Sequence, residues 1–281
     1  MRRLTEAERQ EVCSAYAGGQ SGSSLATRFG VTDTAIYATL RRFGAARRGP
    51  SEARRQFALS EEAFDVVTPE SAYWLGFLMA DGAIHAAAKE SAVSLVLSRR
   101  DREHVEAFLR FMGDDGRQIT DTDSNNASGV KLRSKRLVSV LESYGVTARK
   151  SLTARALRGL DGSAHFWRGV VDGDGSFGVS KNSPYLSQAG SGALIEQFRR
   201  FVAKYVDADY VTRSHEVGNI YVCNLFGRVA VAYLKLLYAP GQEVVALPRK
   251  HEAALRICAR FEGKKWRNYT GKHRRKSGKV S

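Results

Sequence analysis

The amino-acid sequence predicts an α+β protein. Two pseudo-symmetric halves, each ordered helix, two strands, helix, two strands, helix, follow a small all-α unit. Three observations predict this. An apolar stretch, "YWLGFLMADG" from Tyr73 to Gly82, returns as "FWRGVVDGDG" from Phe166 to Gly175, and internal repetition marks a duplicated architecture. Behind each copy the apolar period alternates between that of a strand and that of a helix, in the same order. The first 44 residues read as three short helices with capping and turn signals.

Composition narrows the partner. A chain of 281 residues, 43% of them apolar, holds one large or two modest soluble domains. Forty-four Lys and Arg against 29 acids leave a formal charge of +15, which suits a polyanion: nucleic acid or an anionic membrane surface. No apolar run approaches the ~18 residues of a membrane span and no secretory signal opens the chain, so nucleic acid is expected and a membrane is not. Cys13, Cys223 and Cys258 are widely spaced and contain no C-x-x-C pair. That fits a reduced, cytoplasmic protein and argues against structural zinc; the expected setting is a bacterial or phage-infected cell.

In residues 1–44, "LTEAE" offers a capping box, Thr5 with Glu8, for a helix running to about Ala17 and ended by Gly18 and Gly19. A short helix, a turn at Gly30 and a second helix from about Thr32 follow. Ala26 lets two helices approach, Gly30 accepts a left-handed turn, and Val31 and Ile36 fill a small core. This is the spacing of a helix-turn-helix, and the stretch resembles the resolvase-like members of that class. Its second helix offers Asp33, Thr34, Tyr37 and Arg41 to a major groove; a three-helix bundle with no DNA role is the plainer alternative. Residues 45–57 are basic, carry Gly-Pro and read as a linker. There Arg47, Arg48, Arg54 and Arg55 suit phosphates or a minor groove, or simply solvation.

The first half spans 58–160. Thr68 before Pro69 starts the motif helix and Gly82 ends it. Val93, Leu95 and Leu97 alternate as in a strand, and Val105, Phe108, Leu109 and Met112 mark a helix face. Two short strands are expected between Arg117 and Arg133, then a helix through Leu137, Leu141 and Tyr144. The second half, 161–262, repeats the order: strands within 176–189, a helix through Leu194, Phe198, Phe201 and Tyr205, strands at "DYVTR" and "NIYVCNLF", and a helix at "GRVAVAYLKLLY". The tail, 263–281, holds eight Lys or Arg and no acid, and is too polar to build a core.

Gly76 and Ala80, like Gly169 and Gly173, stand four residues apart on one helix face, where small residues let two backbones come close. Packed on each other, the motif helices bring Asp81 and Asp174 together at two negative helix ends, where a bare pair repels. A divalent cation relieves that repulsion. Oxygen ligands suit Mg²⁺ (or Mn²⁺), with the carbonyls of Ala80 and Gly173 as further donors.

On these motifs the chain is similar to the single-chain, two-motif LAGLIDADG homing endonucleases, Trp74–Gly82 and Trp167–Gly175 filling the nine positions. The match is good at Gly76, Gly169, Ala80, Gly173 and the closing Asp-Gly, and loose at the first two letters. The resemblance implies a monomer that cuts double-stranded DNA with divalent metal, Asp81 serving one strand and Asp174 the other. It also implies that Lys150 and Lys250 stand near the attacking water and scissile phosphate. Arg99 and Gln188 fall where the family keeps a polar residue that positions water. The two sheets would form a saddle on DNA, with Ser94, Ser98, Lys131, Arg133 and Arg213 facing the duplex; for "NIYVCNLF" the DNA side is undetermined. Asp172, opposite Met79 in the first copy, is an extra acid of open role. The other readings are a non-cleaving DNA-binding regulator with a helix-turn-helix and an RNA-splicing maturase. A recombinase is weaker, for want of a nucleophilic Ser or Tyr constellation.

Overall fold

Capping hydroxyls set the starts of the first helices. In the computed structural model, which describes residues 3–45, 59–87, 90–114, 119–205, 214–239 and 241–266, α1 (Glu6–Ala17) opens on the Thr5–Glu8 capping box. Ser21 caps α2 (Gly22–Phe29) and Thr32 caps α3 (Asp33–Arg42), each hydroxyl accepting from an otherwise orphaned amide. Gly30 ends α2 in the left-handed region, φ 64° and ψ 39°, which costs glycine nothing. Val12, Tyr16, Leu25, Ala26, Phe29, Ile36 and Leu40 form a closed apolar core, with Val31 only partly covered. The chain divides into this unit, Met1–Ala58, and a larger one, Leu59–Ser281.

The larger unit is built on two motif helices. Thr68 caps α4 (Pro69–Ala80) in a capping box with Ser71, and Pro69 fills its first turn. Every residue from Ser71 to Met79 is buried, as expected of a helix that is apolar all round. Ser163 caps α7 (Ala164–Asp174). After α4 come β1 (Gly82–Ala87), β2 (Glu90–Ser98), α5 (Arg102–Phe111), β3 (Thr120–Thr122), β4 (Ala127–Arg133) and α6 (Lys135–Ser143). After α7 come β5 (Gly175–Ser180), β6 (Ser183–Gly190), α8 (Gly192–Ala203), β7 (Ser214–Val217), β8 (Ile220–Phe226) and α9 (Gly227–Tyr238). The antiparallel sheets have matching orders, β1-β2-β4-β3 and β5-β6-β8-β7. Val93, Leu95, Leu97, Val130 and Leu132 point into the core, where they join Val105, Phe108 and Leu109 of α5.

Three expectations change. Tyr205 lies beyond the end of α8 and is 49% exposed, so it leaves the apolar face that Leu194, Phe198 and Phe201 keep. A further helix, α10 (Pro248–Arg260), follows α9; proline at its first turn and buried Ala254, Ile257 and Cys258 at helical spacing were its sequence signals. In "NIYVCNLF" Cys223 and Leu225 face the core, which turns Val222 and Asn224 outward. "DYVTR" with Arg213, the arginines at 47, 48, 54 and 55, and the tail beyond Trp266 lie outside the described residues.

The motif helices meet backbone to backbone. A Cβ on Gly76 would stand 2.0 Å from the carbonyl oxygen of Phe166, and one on Gly169 would stand 2.1 Å from that of Tyr73. The contact is reciprocal, as a two-fold relation requires. Gly76→Ala and Gly169→Ala are each expected to lower the unfolding free energy by about 3 kcal/mol, the upper end of overpacking costs, in urea titration. Gly162→Ala, whose Cβ would meet nothing within 4 Å, should change it by less than about 0.5 kcal/mol.

Candidate active site

Each motif helix delivers an acid. Asp81 is the C-cap of α4, at φ −94° and ψ −11°, and Asp174 is the last residue of α7. Gly173 lets the two ends adjoin: a Cβ there would lie 2.3 Å from Cβ of Ala80 and 3.3 Å from Oδ2 of Asp81. The Asp81 carboxylate therefore rests against the last turn of α7, one residue from Asp174. Both acids are open to solvent on one side and ringed by protein on the others. Burial, and then the charge of Asp81, push Asp174 up to about 6. Burial also raises Asp81, against the pull of Lys250 and Lys150.

Both lysines are buried rather than on the surface. Lys150 opens a short 3-10 turn behind Arg149, which is left-handed at φ 53°, and its Nζ donates to the carbonyl of Gly82. Lys250 sits in the first turn of α10, not in a loop as its sequence neighbourhood implied. Its Nζ donates to the carbonyls of Val171, Asp172 and Gly175, each at 2.7 Å. Those bonds occupy all three ammonium protons, with the Gly173 carbonyl further off at 3.5 Å. Burial lowers Lys150, with Asp174 and Asp81 opposing, and brings Lys250 down to about 8. Cations here complement the negative end of α7 and offset the paired acids.

The groups expected to hold a cation, two carboxylates and the carbonyls of Ala80 and Gly173, are all oxygen. Among the described residues no three His, Cys, Asp or Glu side chains cluster as a metal site. A hard divalent cation fits such a set and a soft one does not.

No family model matches the chain, and no curated protein matches it. Its structural neighbours are LAGLIDADG homing endonucleases. The LAGLIDADG meganuclease I-AabMI, bound to uncleaved DNA, has a TM-score of 0.48 at 11% identity over 70% of this chain and 92% of its own. I-LtrWI bound to target DNA has 0.46 at 12% identity, over 73% and 92%. I-GzeII in complex with its DNA target has 0.47 at 12%, over 71% and 92%. At such values the likeness does not bear on chemistry.

Other anticipated residues scatter. Gln188 is fully buried and pairs with Gly175, so its counterpart in register is Leu95, which pairs with Gly82, and not Arg99. Its Nε2 donates to the Ala189 carbonyl at 2.8 Å, while its buried Oε1 has no hydrogen-bond partner among the described residues. Arg99 lies past β2, tied to Asp123 at 2.6 Å. Lys131 and Arg133 do reach the outer face, though Glu90 holds Lys131 at 2.6 Å and lies 3.7 Å from Arg133. The same register sets Asn224, next to Ser187, where the first half has Lys131 next to Ser94. In α3, Thr34 and Arg41 are exposed while Tyr37 is half-buried, its hydroxyl end against Gly22 and its ring edge-on to Tyr16.

Asp172 is no part of the acid pair. Its buried carboxylate accepts from Tyr73 Oη at 2.8 Å, Tyr238 Oη at 2.6 Å and the Leu247 amide at 2.7 Å. His104 shares the Tyr73 hydroxyl at 2.8 Å, and its own burial brings it down to about 3. Met79, the counterpart in α4, has no such role, and nothing short of the fold links Asp172 to residues so distant in the chain.

Raised above the ordinary carboxylate value, Asp174 disfavours the folded state once it ionises. Its penalty is absent at pH 3, grows as the pH rises through 4 to about 6, and is complete above that. Without divalent cation, Asp174→Asn should therefore stabilise the protein at pH 7.5 by about 1 kcal/mol, discounted for solvent screening of an exposed group. Chemical unfolding followed across pH should show the difference vanish near pH 4.

Proposed function

We propose that this protein is a site-specific double-strand DNA endonuclease of the LAGLIDADG homing type, working as a monomer with Mg²⁺ or Mn²⁺. One observation carries the reading: two acids stand at adjoining tips of duplicated helices, with two buried lysines, Lys150 and Lys250, whose charges reach both acids. The two strands of a duplex are related by a local two-fold axis, so a protein with the same symmetry meets each strand with one acid. The charge of +15 supplies the attraction for phosphates.

Asp81, Asp174 and the carbonyls of Ala80 and Gly173 are the groups to hold the cation. When bound, it supplies Lewis acidity and a water of lowered pKa. The chain's own residues do the rest. The adjoining acids fix where hydrolysis occurs on each strand. Lys150 and Lys250 act as fixed positive charge near the scissile phosphates, since Lys250 cannot turn a proton outward without releasing a carbonyl. The outer rows, Ser94, Ser98, Lys131 and Arg133 in one half and Ser187 and Asn224 in the other, line the duplex. The first unit is a helix-turn-helix that lengthens the recognised site, with Thr34 and Arg41 on α3 toward the groove.

Asp81→Asn and Asp174→Asn should each slow cutting of a different strand by about 100-fold or more, at least the upper end of what outer metal partners cost. Binding measured by gel shift should hold, and EDTA should stop both cuts. Strand-labelled duplex selected from the protein's genomic neighbourhood checks this, and cutting by both variants at the rate of the unaltered protein would end the enzyme reading. Arg41→Ala should weaken binding across sequences and reduce the slope of log affinity against log salt by about 0.9, one phosphate contact, in anisotropy titrations.

A further inference from the structure

We infer that Asp172 is the positioning residue for Lys250, and that it makes the two halves of the site mechanically unequal before any DNA arrives. The consequence for cutting rests on the endonuclease reading above.

Lys250 owes its place to α10, and α10 is fastened at its start. The Leu247 amide, at the N-cap of α10, donates to the Asp172 carboxylate at 2.7 Å. One residue before Lys250, Arg249 grips buried Asp101 of the first half through Nε at 2.9 and 3.1 Å. Lys250 then donates to the main-chain carbonyl of Asp172 itself, and to those of Val171 and Gly175. Asp172 thus touches the lysine's helix with its side chain and the lysine with its backbone. Its carboxylate is held in turn by Tyr73 of α4 and Tyr238 of α9. In this way both motif helices, α9 and α10 share one buried acid.

The first half has no equivalent. Met79 stands where Asp172 does, and among the described residues the Lys150 ammonium has one anchor, the Gly82 carbonyl, on a three-residue turn. One lysine is therefore locked by a network and the other by one bond. An apolar residue at 172 would leave the Leu247 amide and the Tyr238 hydroxyl without their acceptor, and Tyr73 with His104 alone. Asparagine would keep the anchor: its oxygen can accept from Leu247 and Tyr73 while its amide donates to Tyr238.

The test uses the full chain. Acetic anhydride labels lysines, and peptide mass spectrometry reads Lys150 and Lys250 separately. In Asp172→Met, labelling of Lys250 should rise about tenfold through local opening of α10, with Lys150 within about twofold of the unaltered protein. Asp172→Asn should match the unaltered protein at both. Should Asp172→Met fail to fold, Tyr238→Phe, which removes one of the three donors, should raise Lys250 alone by about threefold. Lys250 unchanged in the folded variants, or rising together with Lys150, overturns the inference. The same variants on strand-labelled duplex with Mg²⁺ should slow one strand and accumulate nicked product, while a general loss of stability slows both. Selective labelling of Lys250 with no cutting by the unaltered protein would sink the endonuclease reading and leave the positioning role standing.

Discussion

Two missing Cβ atoms hold the larger unit together. At Gly76 and Gly169 the backbones of α4 and α7 touch, with no room for even a methyl group. That contact fixes the distance between the helices and brings their C-terminal ends to one place. Acids at negative helix ends repel one another and are drawn to water, so their adjacency depends on that close helix contact and on Gly173 at its end. The packing of fully buried Trp74, Phe77, Phe166 and Trp167 around the same helices supplies the opposing stabilisation.

The lysines moderate that repulsion from below. An ammonium buried against helix-terminal carbonyls is costly to desolvate, and the lowering of Lys250 to about 8 reflects the cost. The carbonyls of α7 and the nearby acids return part of it. The result is a charge arrangement settled in advance, with acids open to solvent above and cations enclosed beneath. Preorganisation of this kind is what an electrostatic catalyst requires, since no reorientation is left for the moment of reaction.

The two halves share a topology without sharing a chemistry. Their sheets have the same order and the same register, yet Lys131 becomes Asn224 on the outer face and Leu95 becomes Gln188 on the inner one. Met79 becomes Asp172, and with it the second half gains a buried polar hub that joins Tyr73, Tyr238 and Leu247. Such a network specifies one arrangement because each partner left unpaired would be penalised.

The duplication, the strand and helix order of both halves, the caps at Thr5 and Thr68 and the small-residue faces were legible in the sequence. Each is a local pattern, set by period or by a hydroxyl's reach to a neighbouring amide. So was the pairing of Asp81 with Asp174, since repetition and glycine spacing together leave the helix ends few places to go. Tertiary structure alone decided what lies far apart in the chain. It buried Gln188 by strand register, bound Lys131 to Glu90, and placed Lys250 on a helix with its three protons spent on carbonyls. It also turned Asp172 away from the acid pair and into the core, because a side chain's partners depend on which distant elements close over it, and no pattern within a segment records them.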